Sequence, residues 1–122
     1  MTAAQQWRDT LRAELLSARK DRDSTRVSAL RSALSAIDNA ETPDGGGVNS
    51  PRSGAIANAV VGLGAAEVPR RELSDAEIRG LLRAEIDERL AAAGDYTTGG
   101  RTERADALHA EAQVLTTFLG DV

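Results

Sequence analysis

The stretch from Leu73 to about Ala93 constrains the fold most, because it joins an explicit helix start to an apolar stripe that needs partners. Ser74 stands at a helix N-cap position and Glu77 three residues on. Each side chain can therefore accept from the other's orphan backbone N–H, as a capping box. Leu73 and Ile78 have the spacing of a hydrophobic staple around that cap. Pro69 precedes the start, and Asp75 suits the positive end of the helix dipole in the first turn. Ile78, Leu81, Leu82, Ile86 and Leu90 then recur at helical spacing. Glu85 and Arg89 form an i,i+4 pair in the favourable order, worth ~0.3 kcal/mol. Such a helix does not stand alone in water, so the rest of the chain must cover its stripe.

The remaining sequence supplies more helices. In the first, about Ala4 to Arg19, Trp7, Leu11, Leu15 and Ala18 share one stripe with Leu16 beside it. Trp7, the only tryptophan, is expected to close one end of the core. Lys20 to Ser24 reads as a polar turn, with Asp23 or Ser24 capping the second helix. Val27, Leu30, Leu34 and Ile37 give that helix a seam, and Ala29, Ala33 and Ala36 allow close approach of neighbours. The third helix is expected to end near Gly94, with the chain bending over Asp95 to Gly100. The last helix is expected from Thr102, acting as its cap, through the seam Ala105, Leu108, Ala112, Leu115 and Leu119, with Phe118 adjacent and Gly120 as the stop. Short turns make one and two, and three and four, antiparallel neighbours.

Between the two hairpins the composition changes. Thr42 to Gly54 carries Pro43, Pro51 and Gly45-Gly46-Gly47 and reads as a flexible connector. It is not a phosphate loop, because no Gly-Lys-Ser/Thr follows. Ala55 to Ala66, with Ile56, Val60 and Leu63, suggests a short extra helix on the bundle edge. Gly62-Leu63-Gly64 lacks the third glycine of a dinucleotide fingerprint. The expected architecture is thus all-α: one domain over residues 1–122, a small antiparallel bundle of four main helices with a Gly-rich loop.

Composition narrows the function. The chain of 122 residues has no cysteine, which excludes disulfides and thiolate chemistry. No apolar run approaches the ~18 residues of a membrane span, and the N-terminus shows no targeting pattern, so a cytoplasmic protein is expected. His109 is the single histidine, flanking the last seam, and neither Asp106 nor Glu111 has the facing i,i+4 spacing of a helical metal site. The serines lack a base and an oxyanion motif. No catalytic, cofactor-binding or metal residues are assigned. One asymmetry stands out on a chain of net charge −4: Arg19, Lys20, Arg22, Arg26 and Arg31 face only Asp21 and Asp23 over thirteen residues. Guanidinium groups suit bidentate phosphate contacts, so this corner is the candidate nucleic-acid or partner contact. The alternative is a solvated turn whose arginines pair with the acidic faces of helices three and four.

Several segments together resemble the YqeY-like proteins. They are Arg26-Val27-Ser28-Ala29-Leu30-Arg31 with Leu34, Ile37 and Asn39-Ala40-Glu41; the helix start Leu73-Ser74-Asp75-Ala76-Glu77-Ile78 with Arg89; and Tyr96, Gly100-Arg101, Ala110-Glu111-Ala112-Gln113-Val114-Leu115 and Phe118-Leu119. That family is related to the tail of the B subunit of the glutamine-dependent aminoacyl-tRNA amidotransferase, a helical module that helps engage tRNA and carries no catalytic residues. The resemblance implies an all-α fold, an association with tRNA or with an amidotransferase or translation complex, and an inherited description as a carbon–nitrogen ligase using glutamine as amide donor. It covers the family's N-terminal helical part. Members commonly continue past a Leu-Pro pair into a second helical subdomain, where this chain reads Leu119-Gly120-Asp121-Val122. A structural role, with the Ile56–Leu63 surface docking a partner helix or a second copy, is the competing reading.

Overall fold

Short polar side chains set three of the four helix starts found among the described residues. A computed structural model describes residues 1–42 and 72–120. Helix α1 spans Ala3–Lys20 and α2 spans Ser24–Glu41. Helix α3 spans Asp75–Thr98 and α4 spans Thr102–Leu119. Ser74 and Glu77 form the expected capping box, with Ser74 Oγ accepting from Glu77 N at 3.1 Å and Glu77 Oε1 accepting from Ser74 N at 2.9 Å. Thr2 and Gln5 form a second box at the start of α1, which the apolar pattern does not announce. Asp23 caps α2 by accepting from Arg26 N at 3.2 Å. Each such cap stabilises by about 1 kcal/mol.

Helix α4 departs from expectation. Thr102 is its first helical residue and Arg101 occupies the N-cap, with no side-chain hydrogen bond there. Helix α3 also runs one turn beyond Gly94 and stops at Gly99. A lone exposed glycine costs a helix only about 1 kcal/mol. Packing beyond it overrides that cost: Ala93 and Tyr96 of α3 meet Ala105 and Leu108 of α4 in a small cluster of their own.

The main core collects Leu11, Leu30, Ile37, Ile78, Leu82 and Leu115, all fully enclosed. Burying each of these side chains contributes roughly 1.5–3 kcal/mol. Ala4, Ala18, Ala29, Ala33 and Ala112 are buried between them and let the helices approach closely. Leu73 joins this core beside Ile78, as the staple requires. The stripe on α3 turns relative to the sequence reading: Leu90 is 44% exposed and Ala93 is buried. On α1, Leu16 lies off the stripe at 55% exposed.

Side-chain links fix the orientation of the four helices. Arg8, near the start of α1, binds Asp38 and Glu41 at the end of α2. Trp7 Nε1 donates to Asp75 Oδ1, at the start of α3, at 2.7 Å. Arg79, one turn into α3, donates to the Leu119 carbonyl, at the end of α4, at 3.4 Å. One end of the bundle therefore holds two helix starts and two helix ends, and both interhelical turns lie at the other. The packing is an all-α antiparallel four-helix bundle, most extensive between α3 and α4. The connector and short helix expected over 42–66 fall outside the described residues, except for Thr42 at the edge.

Candidate nucleic-acid interface

Both turns are built by the same backbone device. In the α1–α2 turn, Asp23 N bonds back to Ala18 O at 2.9 Å and Arg22 N to Arg19 O at 3.1 Å. In the α3–α4 turn, Arg101 N bonds to Tyr96 O at 2.8 Å and Gly100 N to Thr97 O at 3.0 Å. This is the Schellman pattern, whose pivotal residue takes the left-handed conformation. Gly100 does so at φ 81°, where glycine carries no Cβ penalty. Arg22 does so at φ 57°, the only non-glycine residue with positive φ among those described. An L-residue is less favourable there by about 1 kcal/mol or more.

The α1–α2 turn gathers three of the five basic residues named from the sequence. Arg19, Lys20 and Arg22 are exposed, and their side chains make no ion pair among the described residues. Arg31 is likewise exposed but sits seven residues into α2, roughly 10 Å along the helix from the turn. Arg26 is drawn inward instead. Its guanidinium reaches Asp21 at 3.1 Å, Glu14 at 3.4 Å and Asp23 at 3.9 Å, and also donates to Ser17 Oγ. Arg26 thus ties the hairpin together, and the cations offered to a ligand at the turn are Arg19, Lys20 and Arg22.

The fold brings two further arginines to the same end. Arg101 and Arg104, exposed on the α3–α4 turn and the first turn of α4, are absent from the sequence-derived set. They lie some eighty residues away in sequence, and only the antiparallel topology puts the two turns at one end. Arg104 lies over the ring of Tyr96, with its guanidinium carbon 5.8 Å from the ring centroid. Helix α3 is 24 residues long against 18 for α1, so the α3–α4 tip is the longer of the two prongs.

Beneath the prongs sits a polar node. Arg89 Nε donates to Glu111 at 2.9 Å and Nη1 to Glu85 at 2.9 Å, while Ser32 Oγ donates to Glu85 at 2.6 Å. The three charged side chains are only 11% (Arg89), 19% (Glu85) and 14% (Glu111) exposed. Burial pulls the Arg89 pKa down, but the hydrogen bonds and charges of both glutamates outweigh it and leave the pKa raised. The node spans α2, α3 and α4 and borders a cavity of about 360 Å³. Its geometry suits joining helices.

No group of His, Cys, Asp and Glu among the described residues is arranged to hold a metal ion. His109 is exposed on α4. No helix among the described residues is long and apolar enough to cross a membrane. Against this geometry, the model of the YqeY-like protein family matches residues 8–121. The chain belongs to the YqeY-like family. Comparison with curated proteins and with solved structures yields no match. The span matched in this YqeY-like chain takes in both turns, the polar node, and Arg19, Lys20, Arg22, Arg26, Arg31, Arg101 and Arg104.

Proposed function

We propose that this YqeY-like protein is a non-catalytic helical module that binds tRNA, free or within an amidotransferase or translation assembly, through phosphate contacts from its turn end. The observation that carries this reading is the concentration of Arg19, Lys20 and Arg22 at one exposed turn of a chain with net charge −4. An acidic protein repels a polyanion in general, so a local cluster of unpaired cations gives binding a defined place. The family's relation to a tRNA-engaging tail points to the same ligand class. The inherited carbon–nitrogen ligase description then belongs to a partner enzyme, with this module holding the RNA.

The test is filter binding of tRNA across a salt series, with wild type and an Arg19→Glu/Arg22→Glu double variant. Each lost phosphate contact flattens the slope of log K against log salt by roughly 0.7–0.9. A slope shallower by about 1.5, with weaker binding at low salt, is expected. Identical curves for the two proteins would remove the tRNA reading. Arg26→Glu is unsuitable for this purpose, because it breaks pairs that hold α1 to α2.

A further inference from the structure

We infer that the α3–α4 tip is a stacking site for an unpaired nucleobase, so that the module prefers single-stranded RNA segments to duplex. The inference rests on the RNA reading above and adds to it the form of nucleic acid taken.

Tyr96 is the only tyrosine in the chain and lies in the last turn of α3, half-buried. Its ring is anchored from below by Ala93, Ala105 and Leu108, a cluster separate from the main core. A ring so held gives Arg104 a fixed surface to lie against. Arg104 lies over that ring within cation–π range and makes no ion pair among the described residues. A guanidinium held beside an aromatic ring offers a flat surface on which a base can stack. Arg101 stands one residue beyond Gly100, and a cavity of about 420 Å³ runs along Gly100 to Arg104. That volume lies within the range that holds a small ligand such as one nucleotide. Gly100 has no atoms within 4 Å of where a side chain would start, so the approach to the tip is open. Asp95, Glu103 and Asp106 are also exposed around the tip and outnumber its two arginines. Bare phosphate attraction is therefore weak here, and recognition falls to the ring and the guanidinium plane.

The two turns then divide the work. The α1–α2 turn holds phosphates, which duplex and single strand both present. The α3–α4 tip takes a base face, which a duplex keeps stacked within itself. Base–aromatic stacking tolerates any sequence, because every base has a π face.

The experiment titrates the intact protein into a short single-stranded RNA carrying one 2-aminopurine, and into the same strand annealed to its complement. Expected results are quenching of the 2-aminopurine by wild type, and tighter binding of the single strand. Tyr96→Leu, which keeps an apolar side chain on the cluster, should lose single-strand affinity by about 5- to 100-fold, while Tyr96→Phe retains it. Arg104→Lys keeps the charge but not the plane, and should lose affinity without changing the salt slope. Thermal melts of each variant confirm the fold. Equal binding of both RNA forms, or a folded Tyr96→Leu protein that binds the single strand like wild type, overturns the stacking site and leaves the phosphate reading standing. Failure of wild type to bind either RNA overturns both.

Discussion

Replacing Arg89 by methionine tests whether the polar node holds the bundle together. Methionine keeps most of the length and the apolar stem but removes the charge that Glu85 and Glu111 share. Two carboxylates that are 19% and 14% exposed then face each other without a cation. Breaking a buried pair by removing one partner costs about 3–5 kcal/mol. Because some water still reaches all three side chains, about 3 kcal/mol is the appropriate figure. For a chain of this size that lowers Tm by roughly 10–15 °C. Urea unfolding followed by helical circular dichroism should show the midpoint falling while the slope m stays unchanged. Adding Glu85→Gln and Glu111→Gln to Arg89→Met should recover most of the loss, since an amide in place of the Glu85 carboxylate can still accept from Ser32. A single variant that melts within about 2 °C of wild type would refute the claim that these charges are coupled inside the bundle.

The twin turns give a second test: Gly100→Ala meets no steric obstacle, so its cost of about 1 kcal/mol is purely that of holding alanine at positive φ. Arg22→Gly, at the equivalent place in the other hairpin, should raise stability by a few tenths of a kcal/mol, and a loss in the same urea assay would show the strain argument wrong. Asp75 is held below the ordinary aspartate pKa, first by the hydrogen bond from Trp7 and then by Arg79. A depressed carboxylate contributes stability that is fully present above about pH 4 and is lost as pH falls below it. Fluorescence of Trp7, the only tryptophan, should therefore shift below about pH 4 before global unfolding, and an Asp75→Asn protein should lack that early step.

Periodicity made the helices legible where a stripe was purely apolar. The seam Ala105, Leu108, Ala112, Leu115 and Leu119 is buried throughout, and the capping box at Ser74 and Glu77 formed as its chemistry demands. The misses share a cause, because each needed knowledge of a neighbour. Arg89 lies within about 20° of Leu82 around the helix, on the buried stripe, yet a charged residue there reads as surface until Glu111 on α4 is seen to meet it. Gly94 reads as a stop until α4 is seen to cover Ala93 and Tyr96 beyond it. Among the basic residues, Arg26 could be told apart from Arg19, Lys20 and Arg22 only by seeing Glu14 one helix away. Arg101 and Arg104 joined the candidate surface only through the direction in which α3 and α4 run.

Thr42 and Glu72 line one cavity of about 790 Å³ together with Arg8 and Glu41. The chain thus leaves α2 and enters α3 at the end remote from both turns, about 27 Å away along an 18-residue helix. Thr42 and Glu72 together mark an attachment point at that end. A fluorophore or an affinity tag attached close to Thr42 or Glu72 would start about 27 Å from the turns that contact the ligand. Immobilised from that end, the bundle would present its two prongs outward to whatever is flowed across them.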